Sequence, residues 1–266
     1  MATIAVLGTL DTKAEEHSFI ADLIREQGHT TLLIDVGSLD PPGIRPDIGR
    51  EIIAKAAGAT ASGFDDRGQA VKAMGEGAAI VTAGLVGEGK IDGIISLGGG
   101  GGTSIGTAAM RALPVGFPKL MVSTVAASDS APEYMGIKDV TLMPSIVDVA
   151  GINRISRKIL ANAAGAICGM VELEAPTGGS DRPVIVASMF GNTTECVSLA
   201  RGILEKAGHE VLVFHATGAG GRTMESLIET GMVAGVLDIT TTEWADQLVG
   251  GILAAGCTRL EPAARA

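Results

Sequence analysis

"ISLGGGGGTSIG", residues 95–106, is the stretch on which the reading of this chain turns. An apolar run, Ile91 to Leu97 (IDGIISL), ends in the unbroken glycines Gly98, Gly99, Gly100, Gly101 and Gly102, and Thr103 and Ser104 follow. Glycine loses more freedom on ordering than any other residue, so such a run inside ordered elements is destabilising and needs a reason. It is either a flexible linker or a loop whose bare amides lie against something. Its place, after a strand-like run and before the helix-like TSIGTAAMRAL, selects the second reading. Thr103 or Ser104 is then expected to cap the helix.

Outward from this point the pattern is strand, turn, helix, repeated. Upstream, Thr3 to Leu7 closes on Gly8-Thr9, and Lys13 to Gln27 places Phe19, Ile20, Leu23 and Ile24 at helical spacing. Thr30 to Val36 reads as a second strand carrying Asp35 at its end. Residues 40–63, rich in Pro and Gly, read as a surface excursion, and Asp66 to Val86 as a helix with a candidate break at Gly75 and Gly77. Downstream, FPKLMVST gives a fourth strand ending at Ser123-Thr124. A loop follows, then a short strand and a long alanine-rich helix from about Ile146 to Met170. Residues 171–183 have the composition of a linker, with a boundary near residue 180.

Beyond it the chain repeats itself. Shifted by 180 residues, Val6 falls on Val186, Glu15 on Glu195 and Gly28-His29 on Gly208-His209; EGKIDGIIS then lies over TGMVAGVLD with a different shift. The expected fold is therefore α/β, with two Rossmann-like, doubly wound parallel-sheet units related by an internal repeat. Residues 1–175 are expected to form the first unit, with a long C-terminal helix. Residues 183–266 form a second unit that stops short of a fourth strand, so it is partial or is completed by a partner.

Composition agrees and excludes. The chain is 46% hydrophobic but 3% aromatic, so its core is built from aliphatic side chains, as buried parallel sheets are. A net charge of −10 without a basic cluster argues against nucleic acid and against an anionic membrane surface as partners. Cys168, Cys196 and Cys257 have no CxxC spacing, so neither a disulfide framework nor a zinc site is indicated. No His pair has metal-ligand spacing. MATIAVLGTLDTK turns polar too soon for a signal peptide or span, and a cytoplasmic, reduced protein is expected.

The glycine run with FPKLMVSTVAASD, the segment INRISRKILANAAGAICGM and the opening VLGTLDTK together resemble the family of bacterial and plant proteins typified by the tomato mosaic virus resistance protein. The resemblance covers nearly the whole chain. It implies an ATP-binding, two-domain Rossmann-like module, nucleotide binding rather than a named reaction, and a chain shorter at its C-terminus than usual members.

The candidate site follows from the strand ends. Ligands of open α/β sheets lie beyond the C-terminal ends of the strands, where helix N-termini offer free amides to anions. Gly98 to Gly102 are expected to cradle phosphate, with Thr103 and Ser104 adding hydroxyls. The run is no Walker A motif, and its spacing is not the dinucleotide fingerprint. In GTLDTK, Thr9, Asp11, Thr12 and Lys13 are expected to face the same crevice, Lys13 toward phosphate and Asp11 toward Mg²⁺; alternatively Asp11 or Thr12 caps the helix and Lys13 is solvated. Asp35 is placed for a ribose or for a turn. Thr124 closes the fourth strand, Arg154 reaches a phosphate or a surface acid, and Asn192 and Thr193 occupy the equivalent turn of the second unit. HATGAGG, residues 215–221, is a second candidate anion site facing the first across an interdomain cleft. The expected ligand is a nucleotide, ATP with Mg²⁺, or another small anion, bound to a homo-oligomer. The alternative is an enzyme acting on a phosphorylated or carboxylated metabolite in the same cleft.

Overall fold

The computed structural model describes residues 1–61, 64, 66–174 and 182–266. The chain divides into two compact units between residues 175 and 176. Much of the linker read over 171–183, including the boundary near 180, lies outside the described residues.

In the first unit the elements run β1 (Thr3–Gly8), α1 (Ala14–Glu26), β2 (Thr30–Asp35), α2 (Arg50–Ala56), α3 (Arg67–Gly87), β3 (Gly93–Gly98), α4 (Gly100–Arg111), β4 (Lys119–Ser123), α5 (Ala131–Met135), β5 (Thr141–Pro144) and α6 (Ser156–Glu172). The five strands are parallel in the order β2-β1-β3-β4-β5. Alternation along each strand sends side chains to two helical layers. Ile4, Val6, Ile95 and Val122 pack with Ile20 and Ile24 of α1 and with Leu160, Ala163 and Ile167 of α6. Ala5, Leu7, Ile94 and Met121 pack with Ile53 of α2, Met74 of α3, and Ile105 and Met110 of α4. Full burial of one such side chain contributes about 1.5–3 kcal/mol, so these two clusters fix the layers.

The second unit comprises β6 (Val184–Met189), α7 (Thr194–Lys206), β7 (Glu210–His215), α8 (Ala219–Ile228), β8 (Val233–Leu237), α9 (Thr242–Val249) and α10 (Pro262–Arg265). Its parallel sheet has the order β7-β6-β8 among the described residues.

Four expectations change. The glycine run is not a loop: α4 begins at Gly100, and Gly99, not Thr103 or Ser104, stands at the cap position. The excursion over 40–63 contains α2, whose Ile53 and Ala54 are fully buried against the sheet layer. The long helix starts at Ser156 rather than near Ile146. Ile146 and Gly151 take positive φ of 66° and 77°, which no helix accepts, and Asn153 Oδ1 then caps by accepting from the amides of Ile155 and Ser156. Finally, α3 is unbroken, because Gly75 and Gly77 are contact points rather than hinges.

A Cβ on Gly77 would lie 2.0 Å from the Ile53 carbonyl oxygen, and one on Gly75 would lie 3.4 Å from Ala108 Cβ. By length and apolarity α3 passes as a membrane-crossing helix, yet it packs between α2 and α4 in the layer just described. Gly77→Ala should therefore lower first-unit stability by about 1–3 kcal/mol through overpacking. Urea unfolding measures this, and an unchanged midpoint would contradict the packing.

Candidate functional site

The strand order reverses between β1 and β3: the chain leaves β1 toward β2 on one side, then continues from β3 through β4 and β5 on the other. Such a reversal leaves a crevice at the strand ends, the usual place for a ligand in an open α/β sheet. A cavity of about 390 Å³ lies there, within the roughly 300–1,000 Å³ range of small-molecule sites. Thr9, Asp11, Thr12 and Lys13 line it from the turn after β1, Ser38 and Leu39 from the turn after β2, and Gly99, Gly101 and Gly102 from the head of α4. Val36, Ile105 of α4, Arg67 and Val71 of α3 and Asp148 of the loop after β5 complete it. All the lining residues belong to the first unit.

The head of α4 is bare. Its cap residue Gly99 is extended (φ −80°, ψ −166°), no side chain caps it, and its first turn carries no acidic residue. The Thr103 amide donates to the Gly99 carbonyl oxygen at 2.8 Å. The amides of Gly100, Gly101 and Gly102 precede that bond and have no intrahelical acceptor. Here the helix dipole concentrates partial positive charge.

Packing explains only part of the run. A Cβ on Gly98 would sit 3.0 Å from Gly102 Cα, so Gly98 allows the tight turn. Gly100 has nothing within 4 Å of where its Cβ would be. Gly101 would make only ordinary contacts, with Val71 at 3.5 Å and the Arg67 guanidinium at 3.6 Å, and Gly102 only one, with the Leu97 carbonyl oxygen at 3.5 Å. None of the three has a positive φ. Neither backbone conformation nor neighbouring atoms require glycine at 100–102.

The β1 turn is more ordered than its sequence suggests. One carboxylate oxygen of Asp11 accepts from the amides of Ser38 (3.0 Å) and Leu39 (2.9 Å), while the other, Oδ1, is buried with no hydrogen-bond partner among the described residues. Asp11 therefore does not cap α1, since its carboxylate is turned to the β2 loop. Lys13 lines the cavity but donates from Nζ to the Val149 carbonyl oxygen, so its ammonium is neither free nor simply solvated. The hydroxyls of Thr9 and Thr12 lie 3.1 Å apart.

Several candidates are placed elsewhere. Asp35 is completely buried: Oδ1 accepts from the amides of Leu10 and Gly37, and Oδ2 from Arg50 Nε at 2.9 Å. It ties the two turns together and offers nothing to a ribose. Thr103 is also buried, its hydroxyl 2.6 Å from Ser123 Oγ, and it anchors α4 to the end of β4. Ser104 faces the groove between α3 and α4. Thr124 is exposed beside Gly99, outside the cavity lining, and Arg154 is exposed away from it. In the second unit Asn192 is exposed and Thr193 closes its own turn, bonding Phe190 and Thr240.

The 215–221 turn is already filled by protein. The Gly218 and Gly221 amides, at the head of α8, donate to Glu243 Oε1 at 2.7 and 3.0 Å, and Glu243 is fully buried. A Cβ on Gly221 would lie 2.0 Å from that carboxylate. These glycines make room for the chain's own anion, which corrects the expectation of a second ligand site.

Sequence reading missed Arg67, which stands at the first position of α3 and forms no ion pair among the described residues. Its signal was faint: a lone arginine after a capping aspartate, far in sequence from the glycines it approaches. Asp148 was missed because its loop was read as helix.

Beneath the β1 turn, His17 is fully buried against Gly8, where a Cβ would lie 1.7 Å from the ring. Its Nδ1 donates to the Lys13 carbonyl oxygen at 2.7 Å, and Nε2 has no partner among the described residues. Burial lowers its pKa below the ordinary 6.5, against the smaller opposing effects of the Lys13 carbonyl and Glu16. The unfolded chain thus takes up a proton near pH 6.5 while the native chain does not. Stability from the neutral ring is present above that pH and is lost as pH falls below it, by at most about 1.4 kcal/mol per pH unit. Urea unfolding followed at Tyr134, the single tyrosine, should show this slope, and His17→Gln should remove it. A slope unchanged in the variant would assign it to other groups.

The model of the Uncharacterised protein family (UPF0261) N-terminal domain matches residues 2–176, and that of its C-terminal domain matches residues 182–266. A UPF0261 protein of Clostridium tetani is 52% identical over 98% of this chain and 65% of its own length. The ToMV resistance protein Tm-1(GCR237) of Solanum lycopersicum is 45% identical over 74% of this chain and 27% of its own length. Among solved structures, UDP-GlcNAc 2-epimerase from Methanocaldococcus jannaschii aligns over 100% of this chain and 92% of its own at a TM-score of 0.34 and 11% identity. The chain thus spans 65% of the Clostridium tetani relative's length, and it belongs to the UPF0261 family.

Proposed function

We propose that this member of the UPF0261 family binds a phosphate-bearing small molecule, with a nucleoside triphosphate such as ATP as its type, in the cavity between the ends of β1 and β3. The observation that carries the reading is the head of α4. Three consecutive glycines, at 100, 101 and 102, are demanded by neither conformation nor packing, and they leave open the space that a phosphate needs to reach helix amides. A helix would gain about 0.5–1 kcal/mol from alanine in place of each interior glycine, so a ligand is the remaining reason for bare backbone.

In this reading the amides of Gly100 to Gly102 donate to the terminal phosphoryl oxygens, and Arg67 lies over the same turn as a diffuse countercharge. Lys13 adds its charge from the β1 side. Mg²⁺ takes octahedral oxygen ligands and is usually held by one or two carboxylates plus substrate phosphates. The unpartnered Oδ1 of Asp11 fits one such position, and the described residues offer no cluster that would hold the ion alone. The ion would neutralise phosphate charge. Thr9 and Thr12 supply hydroxyls at the rim.

We also read the second unit as a repeat of the first. Helices α1 and α7 lie 180 residues apart over their full ranges, as do β2 and β7. The repeat has lost the anion turn: α9, which follows β8 as α4 follows β3, carries Glu243 in its first turn instead of glycine.

A thermal-shift panel tests the proposal, comparing ATP with and without Mg²⁺, inorganic triphosphate, nucleosides and carboxylate metabolites. A ligand at 100 times its dissociation constant adds about 2.7 kcal/mol of stability. ATP and triphosphate should stabilise, nucleosides should not, and Asp11→Asn should abolish the added effect of Mg²⁺. Stabilisation by carboxylates alone, or by nothing in the panel, would overturn the proposal.

A further inference from the structure

A second cavity, of about 620 Å³, lies among the segments that follow β2 and shares only Leu39 with the one described above. Arg50, the first residue of α2, lines it. The Arg50 side chain is only 9% exposed, and its Nε donates to Asp35. That is its one hydrogen bond among the described residues: Nη2 is buried without a partner, and Nη1 has none. Asp35 is complete, since it also accepts from the amides of Leu10 and Gly37. Buried polar groups are as a rule paired, so a guanidinium whose two outer nitrogens are unclaimed calls for a partner. Holding Asp35 explains Nε and leaves Nη1 and Nη2 unexplained.

We propose that this cavity binds a small organic monocarboxylate. With Nε committed to Asp35, the guanidinium presents Nη1 and Nη2 end-on, a planar pair of donors that matches the two oxygens of a carboxylate. Lys55, exposed and without an ion pair among the described residues, lines the same cavity. Asp35 already balances Arg50, so Lys55 is the cation that meets the incoming charge, and Thr60 adds a hydroxyl. Glu51 lines the cavity too and repels a ligand with several negative charges, which favours a monocarboxylate over phosphate. Pro41, Pro42, Ala59 and Ala61 give apolar walls for the body of the acid. The proposal does not rest on the triphosphate reading, because no residue of the α4 head takes part.

The test titrates the uniformly ¹⁵N-labelled full chain with benzoate and butyrate, with benzamide and butyramide as their uncharged counterparts, and with inorganic phosphate. Both acids should shift the backbone resonances of Lys55, Thr60 and Ala61 along one saturable curve in the millimolar range, with Gly100, Gly101 and Gly102 stationary. The carboxamides and phosphate should leave the first three unmoved. Lys55→Glu, at an exposed position, should weaken benzoate at least tenfold with the urea midpoint unchanged. Arg50→Lys keeps a cation for Asp35 but removes the Nη pair, and it should abolish the response to both acids; if that variant fails to fold, Lys55→Glu decides alone. No saturable shift with either acid, an equal response to acid and carboxamide, a response to phosphate as strong as to benzoate, or benzoate affinity unchanged in Lys55→Glu would each overturn the proposal. A separate titration with triphosphate, read at Gly100 to Gly102, keeps the fate of the other site distinct.

Discussion

Replacing Arg259 with leucine should strongly destabilise the second unit at neutral pH while leaving the stability of the first unit unchanged. Arg259 is 2% exposed and holds three carboxylates: Nε donates to Glu243 at 2.7 Å, Nη1 to Glu225 at 3.0 Å, and Nη1 and Nη2 both reach Asp238. Burial acts to lower its pKa, but the hydrogen bonds to Asp238 and Glu243 outweigh burial and push it up, so the guanidinium stays charged throughout. Glu243 in turn closes the head of α8, and the Leu260 amide donates to Glu225 at 2.6 Å. One cation thus joins β8, α8, α9 and the segment around residue 260.

Removing one partner of a buried ion pair costs about 3–5 kcal/mol because the remaining charges stay uncompensated. A unit of this size has roughly 4–13 kcal/mol in total at 0.05–0.15 kcal/mol per residue. The loss is therefore a large share of the whole. Trp244, the single tryptophan, donates its indole N–H to the Arg259 carbonyl oxygen, so its fluorescence reports on this unit alone. The Trp244 transition should move sharply to lower urea at pH 7 and recover partly as acid protonates the freed carboxylates, while the Tyr134 signal stays unchanged. A Trp244 transition that does not move would show that the cluster contributes nothing net.

The second large effect is functional. Gly100→Val should weaken binding of ATP or triphosphate at least 100-fold and leave urea stability within about 1 kcal/mol of the parent. The two halves have separate reasons. A side chain at 100 meets no atom within 4 Å, so the fold has room for it. A valine there adds bulk at the helix head next to Gly101 and Gly102, which line the cavity, and losing even two hydrogen bonds to a charged group, at about 1.5–3 kcal/mol each, exceeds the 2.8 kcal/mol of a 100-fold change. Gly98→Ala is the control with the opposite pattern: its Cβ would press on Gly102 Cα at 3.0 Å, so it should cost stability. Ligand binding measured by calorimetry and unfolding measured by urea separate the two. A folded Gly100→Val that binds as the parent does would remove the cradle from the account.

The sequence carried the strands and the glycine turn because both are local signals. Parallel strands buried on two faces read as unbroken aliphatic runs, and a glycine run at a strand end has few alternatives. What escaped it was set by distant partners. Asp35 stands where a ribose ligand would, but Arg50 and the amides of Leu10 and Gly37 claim it. The glycines of 215–221 look like a ligand turn until Glu243 is seen to fill them. Thr103 offers a hydroxyl in sequence and spends it on Ser123. α2 was hidden among prolines and glycines, since propensity reports exposed chain and not the burial of Ile53 that stabilises it. Arg67 reaches the site only because α3 packs against α4.

The amides at the head of α4 can be observed directly. In protein labelled with ¹⁵N-glycine, titration with inorganic triphosphate should shift the Gly100, Gly101 and Gly102 resonances along one saturable curve, with Gly165 and Gly202, on other helices, unmoved. Saturable binding of triphosphate with those three resonances stationary would place the anion elsewhere and contradict the central claim.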